Sequence, residues 1–145
     1  MPLIDPVRIK ILLGPLAGRF DVDALDEVDS SSSELSRRAD QGAPAGSVLV
    51  ADRQTAGRGR RGRHWLSAPQ ASLTFSVLWR FAGPPGRLSG LSLAVGVALA
   101  RALQQLGAER VCLKWPNDVL LAGNDGFAKL AGILIELNCD RRGST

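Results

Sequence analysis

From Gln54 to Trp65 the chain reads QTAGRGRRGRHW, with Arg58, Arg60, Arg61 and Arg63 set among Gly57, Gly59 and Gly62 and almost no apolar side chain to bury. Alternating glycine and arginine makes a poor helix or core strand, because glycine is entropically costly to order and guanidinium groups resist burial. The segment must run at the surface as a loop, and whatever folds must fold on either side of it. The arginines at 53, 58, 60, 61 and 63, with no acid among them, exceed the net charge of +4, so the rest of the chain is close to neutral. Charge concentrated in this way suits a small, strongly anionic ligand. A general nucleic-acid surface would spread basic residues along a face and often interleave aromatics, and this chain contains no Tyr.

Apolar runs flank the loop. Ser47 to Ala51 and Leu73 to Trp79 are β-rich and predict two strands that anchor its ends. Leucine, valine and alanine recurring from Leu88 to Leu106 at spacings of three and four predict the longest helix, stopped at Gly107, with Gly96 inside it for close packing on a sheet. Val111 to Trp115 and Val119 to Leu121 read as strands around a Pro116-Asn117-Asp118 turn. Gly123 to Gly126 reads as a hairpin loop and Lys129 to Leu137 as a buried strand with Gly132 inside it. Upstream, Ser31 and Glu34 have capping-box spacing and predict a short helix to Asp40, with a flexible serine linker as the competing reading. Residues 1–23 are expected to be an irregular lead-in, and residues 24–145 one domain. The order predicts an α+β fold, a mixed and largely antiparallel sheet backed by helices.

With 45% hydrophobic residues in 145, the chain has the composition of one globular domain with a core. Cys112 and Cys139 have no CxxC or histidine partner, so reduced thiols are expected rather than zinc or a disulfide. The N-terminal apolar run ends at Gly14 and Pro15, too early for a signal peptide or a membrane span, which points to the cytoplasm. GxxxxGK[ST] is absent, and the GxGxxG letters at Gly57 to Gly62 precede no convincing helix, so a Rossmann reading fails. What remains is a loop whose backbone amides approach phosphate while its arginines supply bidentate charge.

Lys114-Trp115-Pro116-Asn117-Asp118 and the strand from Lys129 to Glu136 are each weak signals alone, since such turns and strand-end lysines are usually structural. In combination with the arginine loop, and in this order, they closely resemble the catalytic domain of biotin protein ligases, which carry GRGRxGRxW, KWPND and KLxGILxE. Glu27 to Ser32 resembles that family's D-S-T-N segment. The resemblance runs from about Asp26 to Leu137. It implies a fold similar to class II aminoacyl-tRNA synthetases and lipoate ligases. It also implies ATP, biotin and Mg as ligands, activation of biotin to biotinyl-5'-AMP, and transfer to a lysine of a biotin carboxyl carrier domain.

By the same resemblance, Ser30, Ser31, Ser32, Gln54, Gly57, Arg58, Gly59, Arg60 and Lys129 would bind biotin. Arg58, Arg60, Arg61, Trp65, Lys114 and Asn117 would bind the nucleotide. Arg60, Lys114, Asp118 and Lys129 would carry the catalysis, with no metal ligand among the side chains. Ser31 and Ser32 stand where the family has Thr and Asn, which keeps a hydroxyl and loses an amide. The family's domain continues past the position of Leu137, so a partial domain is expected. The roughly 25 residues before Asp26 are too few for a helix-turn-helix, so no DNA partner is expected. No membrane partner is expected, and a homodimer is left open. An Arg/Gly phosphate-binding module for nucleic acid and an inactive biotin-binding fragment are the alternatives.

Overall fold

A computed structural model describes residues 4–138. They fall into two compact units, the first ending at Ala82 and the second beginning at Gly83.

In the first unit, α1 (Pro6–Leu13) starts where the Asp5 carboxylate accepts the Val7 and Arg8 amides. A 3-10 segment (Gly14–Arg19) leads to β1 (Asp21–Val28). The stretch expected to be an irregular lead-in is thus helical, and the expected boundary at residue 23 falls inside β1. Asp21 to Asp23 already pair with Ser47 to Leu49, a long-range partner that local composition does not reveal. β1 runs parallel to β2 (Ser47–Gln54), so the chain needs a crossover, and α2 (Ser31–Asp40) provides it. β3 (Thr74–Val77) adds antiparallel on the other edge of β2. β2 is therefore central and buries Leu49, Val50 and Ala51. Complete burial of Leu49 contributes roughly 1.5–3 kcal/mol.

The α2 helix begins one residue earlier than its capping-box letters suggest. Ser30 is the cap: it is extended, and its Oγ accepts the Ser33 amide at 3.4 Å. Glu34 does not reach back to the cap but bonds Arg37 and Arg38. The serine run is a helix start with Ser30 and Ser31 buried, not a linker.

In the second unit, a 3-10 turn (Pro85–Leu88) precedes α3 (Leu91–Gln105). The helix starts later than its periodicity implies because Gly90, at φ +85°, breaks the path. Gly107, at φ +95°, ends it as expected. The segment Pro85–Gln105 is long and apolar enough to pass for a membrane span by length and composition. Pro85 and Gly90 interrupt it, and Ala100 sits in a buried cluster with Val111, Val119 and Ile133, while Leu93 and Val97 stay exposed. β4 (Val111–Lys114), β5 (Asp118–Gly123) and β6 (Gly126–Gly132) form an antiparallel meander. β6 starts and stops earlier than expected, with Gly132 at its end. Gly132 pairs with Asp118, the first residue of β5, so from Ile133 the chain has run past its partner.

The fold is α+β, as expected. The strands divide into two three-stranded sheets rather than one. Cys112 lies on β4, and Cys139 lies outside the described residues.

Candidate functional site

Each unit gathers one constellation. In the first, β1 ends at Val28 and β2 at Gln54, paired partners, so the turn into α2 and the start of the arginine loop leave the sheet side by side. The Thr55 amide donates to the Val28 carbonyl at 3.0 Å, and the Ala56 amide to the Asp29 carbonyl at 2.7 Å. The Gln54 side chain bridges the two segments, its Oε1 accepting the Ser31 amide at 2.7 Å. Ser31 Oγ lies 2.8 Å from Ser76 Oγ on β3, and Ser30 Oγ lies 3.1 Å from Ser32 Oγ. A cluster of hydroxyls and one amide results, with Ser30 and Ser31 buried. These groups donate and accept without carrying charge, which suits a neutral polar ring system.

The arginine loop is more ordered than its composition implies. The Trp65 amide donates to the Gly57 carbonyl at 2.9 Å, the Gly59 amide donates to the Arg63 carbonyl at 2.7 Å, and Arg58 faces His64 in an antiparallel bridge. A short ribbon closes through Arg61 and Gly62, at φ +57° and +72°, the left-handed pair that hairpin turns use. Glycine at 57 is a steric requirement, since a Cβ there would collide with the Trp65 carbonyl and meet Gln54 Nε2 at 2.9 Å. Arg58, expected to reach a ligand, donates from a guanidinium nitrogen to Ser33 Oγ at 3.0 Å and so ties the ribbon to α2. Arg60 and Arg61 lie at the exposed tip, and Trp65 is half-buried at the base.

Behind the serine turn stands an ionic network that the sequence reading missed. The Asp29 carboxylate receives both Arg37 terminal nitrogens, at 2.8 and 3.0 Å, and the Ser30 amide at 2.8 Å. The Arg37 guanidinium, then the Ser30 amide, lower its pKa from 3.8 to about 2. Glu34 is likewise lowered, first by Arg38 and then by Arg37, and Arg38 continues to Asp23 at 2.7 Å. The only sequence signal was an acid immediately before the serines and two basic residues two turns into a helix.

In the second unit, Lys114 ends β4 and pairs with Asp118, the first residue of β5. The Trp115–Pro116 peptide is cis. Ser92 Oγ on α3 donates to the Pro116 carbonyl at 2.8 Å. Asn117 clasps the exit of β6: its Nδ2 donates to the Ile133 carbonyl at 3.1 Å, and its own carbonyl accepts the Ile133 amide at 2.8 Å. Its amide is thus committed to backbone, as the sequence reading did not foresee. Lys129 lies within β6, not at its entrance, and its Nζ is 2.8 Å from Asp118 Oδ1. Lys114 and Trp115 are exposed. Ser92, Gly96, Leu113 and Ile133 floor a shallow recess beside this turn, with Lys114 and Asp118 at its edge. The unit therefore offers two lysines and one carboxylate on strands beside a braced turn. Among the described residues, no three His, Cys, Asp or Glu side chains gather to hold a metal.

Residues 27–143 match the biotin/lipoate A/B protein ligase family. The bifunctional ligase/repressor BirA of Escherichia coli K12 is 41% identical over 138 residues, which is 93% of this chain and 41% of that protein. The biotin–[acetyl-CoA-carboxylase] ligase of Mycobacterium tuberculosis is 41% identical over 131 residues, 87% of this chain and 48% of that protein. This chain thus spans less than half of either relative. Among solved structures, the biotin protein ligase of Aquifex aeolicus in complex with biotin and ATP superposes with a TM-score of 0.67 at 38% identity, covering 81% of this chain and 47% of that one. The biotin acetyl coenzyme A carboxylase synthetase of Helicobacter pylori with bound biotinylated ATP also gives 0.67, at 26% identity, covering 82% and 56%.

Proposed function

This chain belongs to the biotin/lipoate A/B protein ligase family, and from that premise we propose that it serves the ATP-dependent activation of biotin and its transfer to a lysine of a carrier domain, in the cytoplasm. The observation that carries this reading is the hydroxyl and amide cluster of Ser30, Ser31, Ser32 and Gln54 at the foot of the Gly57–Trp65 ribbon. Biotin's ureido ring is a neutral donor and acceptor, which this cluster complements. Glycine at 57 and 59 lets the ribbon strands pack closely against each other beside this cluster.

In the first step a biotin carboxylate oxygen attacks the α-phosphorus of Mg-ATP, and the bond to the leaving pyrophosphate breaks. Two anions brought to about 3 Å repel by roughly 5 kcal/mol at an effective dielectric of about 20, so cations must be in place first. Of the first unit's residues, Arg58, Arg60 and Arg61 supply charge toward the anionic groups; of the second unit's, Lys114 serves the phosphates and Lys129 the carboxylate and then the acyl phosphate. Asp118 orients Lys129 through their ion pair. Asn117 shapes the nucleotide side by bracing the turn, and Trp65 at the ribbon base covers the ligand. Mg belongs to the nucleotide substrate. In the second step the carrier's lysine amine attacks the acyl carbon and AMP departs.

The test is incubation of the purified chain with biotin, Mg and α-labelled ATP. Labelled biotinyl-AMP with release of pyrophosphate is expected. Tight biotin binding without adenylate would instead identify a binding fragment, and salt-sensitive RNA binding without biotin binding would sink the ligase reading.

A further inference from the structure

We infer that Asp29, locked by Arg37, is a positioning residue that sets the biotin-facing serine turn and the arginine ribbon in one geometry; the inference rests on the biotin reading above. Asp29 touches three segments at once. Its side chain accepts the Ser30 amide, its carbonyl accepts the Ala56 amide immediately before Gly57, and its carboxylate grips Arg37 near the end of α2. Ser30 in turn caps α2, and the next amide, Ser31, is held by Gln54. Rotating residue 29 therefore moves the serine hydroxyls and the first hydrogen bond of the ribbon together.

Global stability does not explain this investment. The Asp29 and Arg37 side chains are 46% and 51% exposed, and pairs that open to water contribute little. What a bidentate fork adds is geometry: both carboxylate oxygens are held, and with them the direction of the lone pair that accepts the Ser30 amide. Positional precision of this kind matters where a ligand is read by several fixed polar groups.

The test compares the full chain with Asp29→Ala, Asp29→Asn and Arg37→Gln. In biotinyl-AMP synthesis, Asp29→Ala is expected to raise the KM for biotin about tenfold with kcat within about twofold, the scale of one charge-assisted hydrogen bond. Asp29→Asn keeps an acceptor for Ser30 but loses the two-oxygen fork with Arg37, so it should recover only part of that loss, and Arg37→Gln should likewise fall between wild type and Asp29→Ala. In ligand-free protein, amide exchange at Ser30, Ser31 and Ala56 should accelerate in the same order. An unchanged KM, a loss confined to kcat, or no rescue by asparagine overturns the inference. If the wild-type chain binds no biotin, the functional reading fails separately, and the exchange order alone decides: equal exchange in all four proteins overturns the inference.

Discussion

Lys129 Nζ sits 2.8 Å from Asp118 Oδ1, diagonally across the β5–β6 ladder, and the carboxylate is the more buried partner at 22% against 44% exposed. A pair this open adds under about 1 kcal/mol to stability. Its value lies in fixing where the ammonium points. Lys129→Ala and Arg60→Ala should each shorten the retention of labelled biotinyl-AMP on the protein, by about tenfold or more for a lost charged contact. Asp118→Ala, which frees the lysine without removing it, should have a smaller effect. Retention unchanged in both Lys129→Ala and Arg60→Ala would refute the placement of the carboxylate.

Gly57→Ala should open the ribbon. A methyl at this position collides with the Trp65 carbonyl and crowds the Gln54 amide, both of them parts of the proposed ligand edge. Cleavage by trypsin near Arg61 should accelerate, and biotin should no longer protect against it. Gly62→Ala leaves open space but strains a left-handed residue at φ +72°, so its effect should be confined to that strain, about 1–2 kcal/mol.

Gly96→Ala should stabilise the second unit. A Cβ at that position would lie 3.5 Å from Leu113 methyls and 3.6 Å from Ile133, ordinary contact distances, and alanine gains about 1 kcal/mol of helix propensity. A higher midpoint in thermal or denaturant unfolding is the expected result. A lower one would mean that the helix sits closer to β4 than these distances describe.

Acid should act on the first unit through Asp29. Its folded pKa is depressed from 3.8 to about 2, so the folded state binds fewer protons there than the unfolded chain. The associated stability is present above about pH 4 and is lost as pH falls toward 2. Its size is below about 1 kcal/mol because the carboxylate is nearly half exposed. Between those values denaturant midpoints should fall more steeply for the wild-type chain than for Asp29→Asn.

Elements whose signal is local were legible in the sequence. The period of α3, its stop at Gly107, the β2 run and the Pro116 turn all follow from residues within one or two turns of one another. What escaped depended on partners far along the chain. β1 looks like an acidic, irregular stretch, and its strand character comes from pairing with β2. β6 ends where β5 runs out, a limit set by Asp118 and not by any residue of KLAGILIEL. The serine, glutamine and glycine members of the site could be named from motif letters, but their mutual bonds could not. Arg37 is silent in the sequence because nothing but the folded helix brings it back to Asp29.

The ribbon between Gly57 and Trp65 has one more consequence. In a paired ribbon, side chains alternate from face to face, so Arg58, opposite His64, occupies one side while Gly57 and Gly59 turn toward Trp65, Gln54 and Arg63 on the other. Composition and length are then under different constraints. Lysine in place of an arginine at the tip leaves the backbone path unchanged but removes the bidentate fork, so that exchange acts on ligand contacts alone. Adding or deleting a single residue between Gly57 and Arg63 would turn guanidinium toward the packed side and glycine toward the ligand, inverting the ribbon in one step.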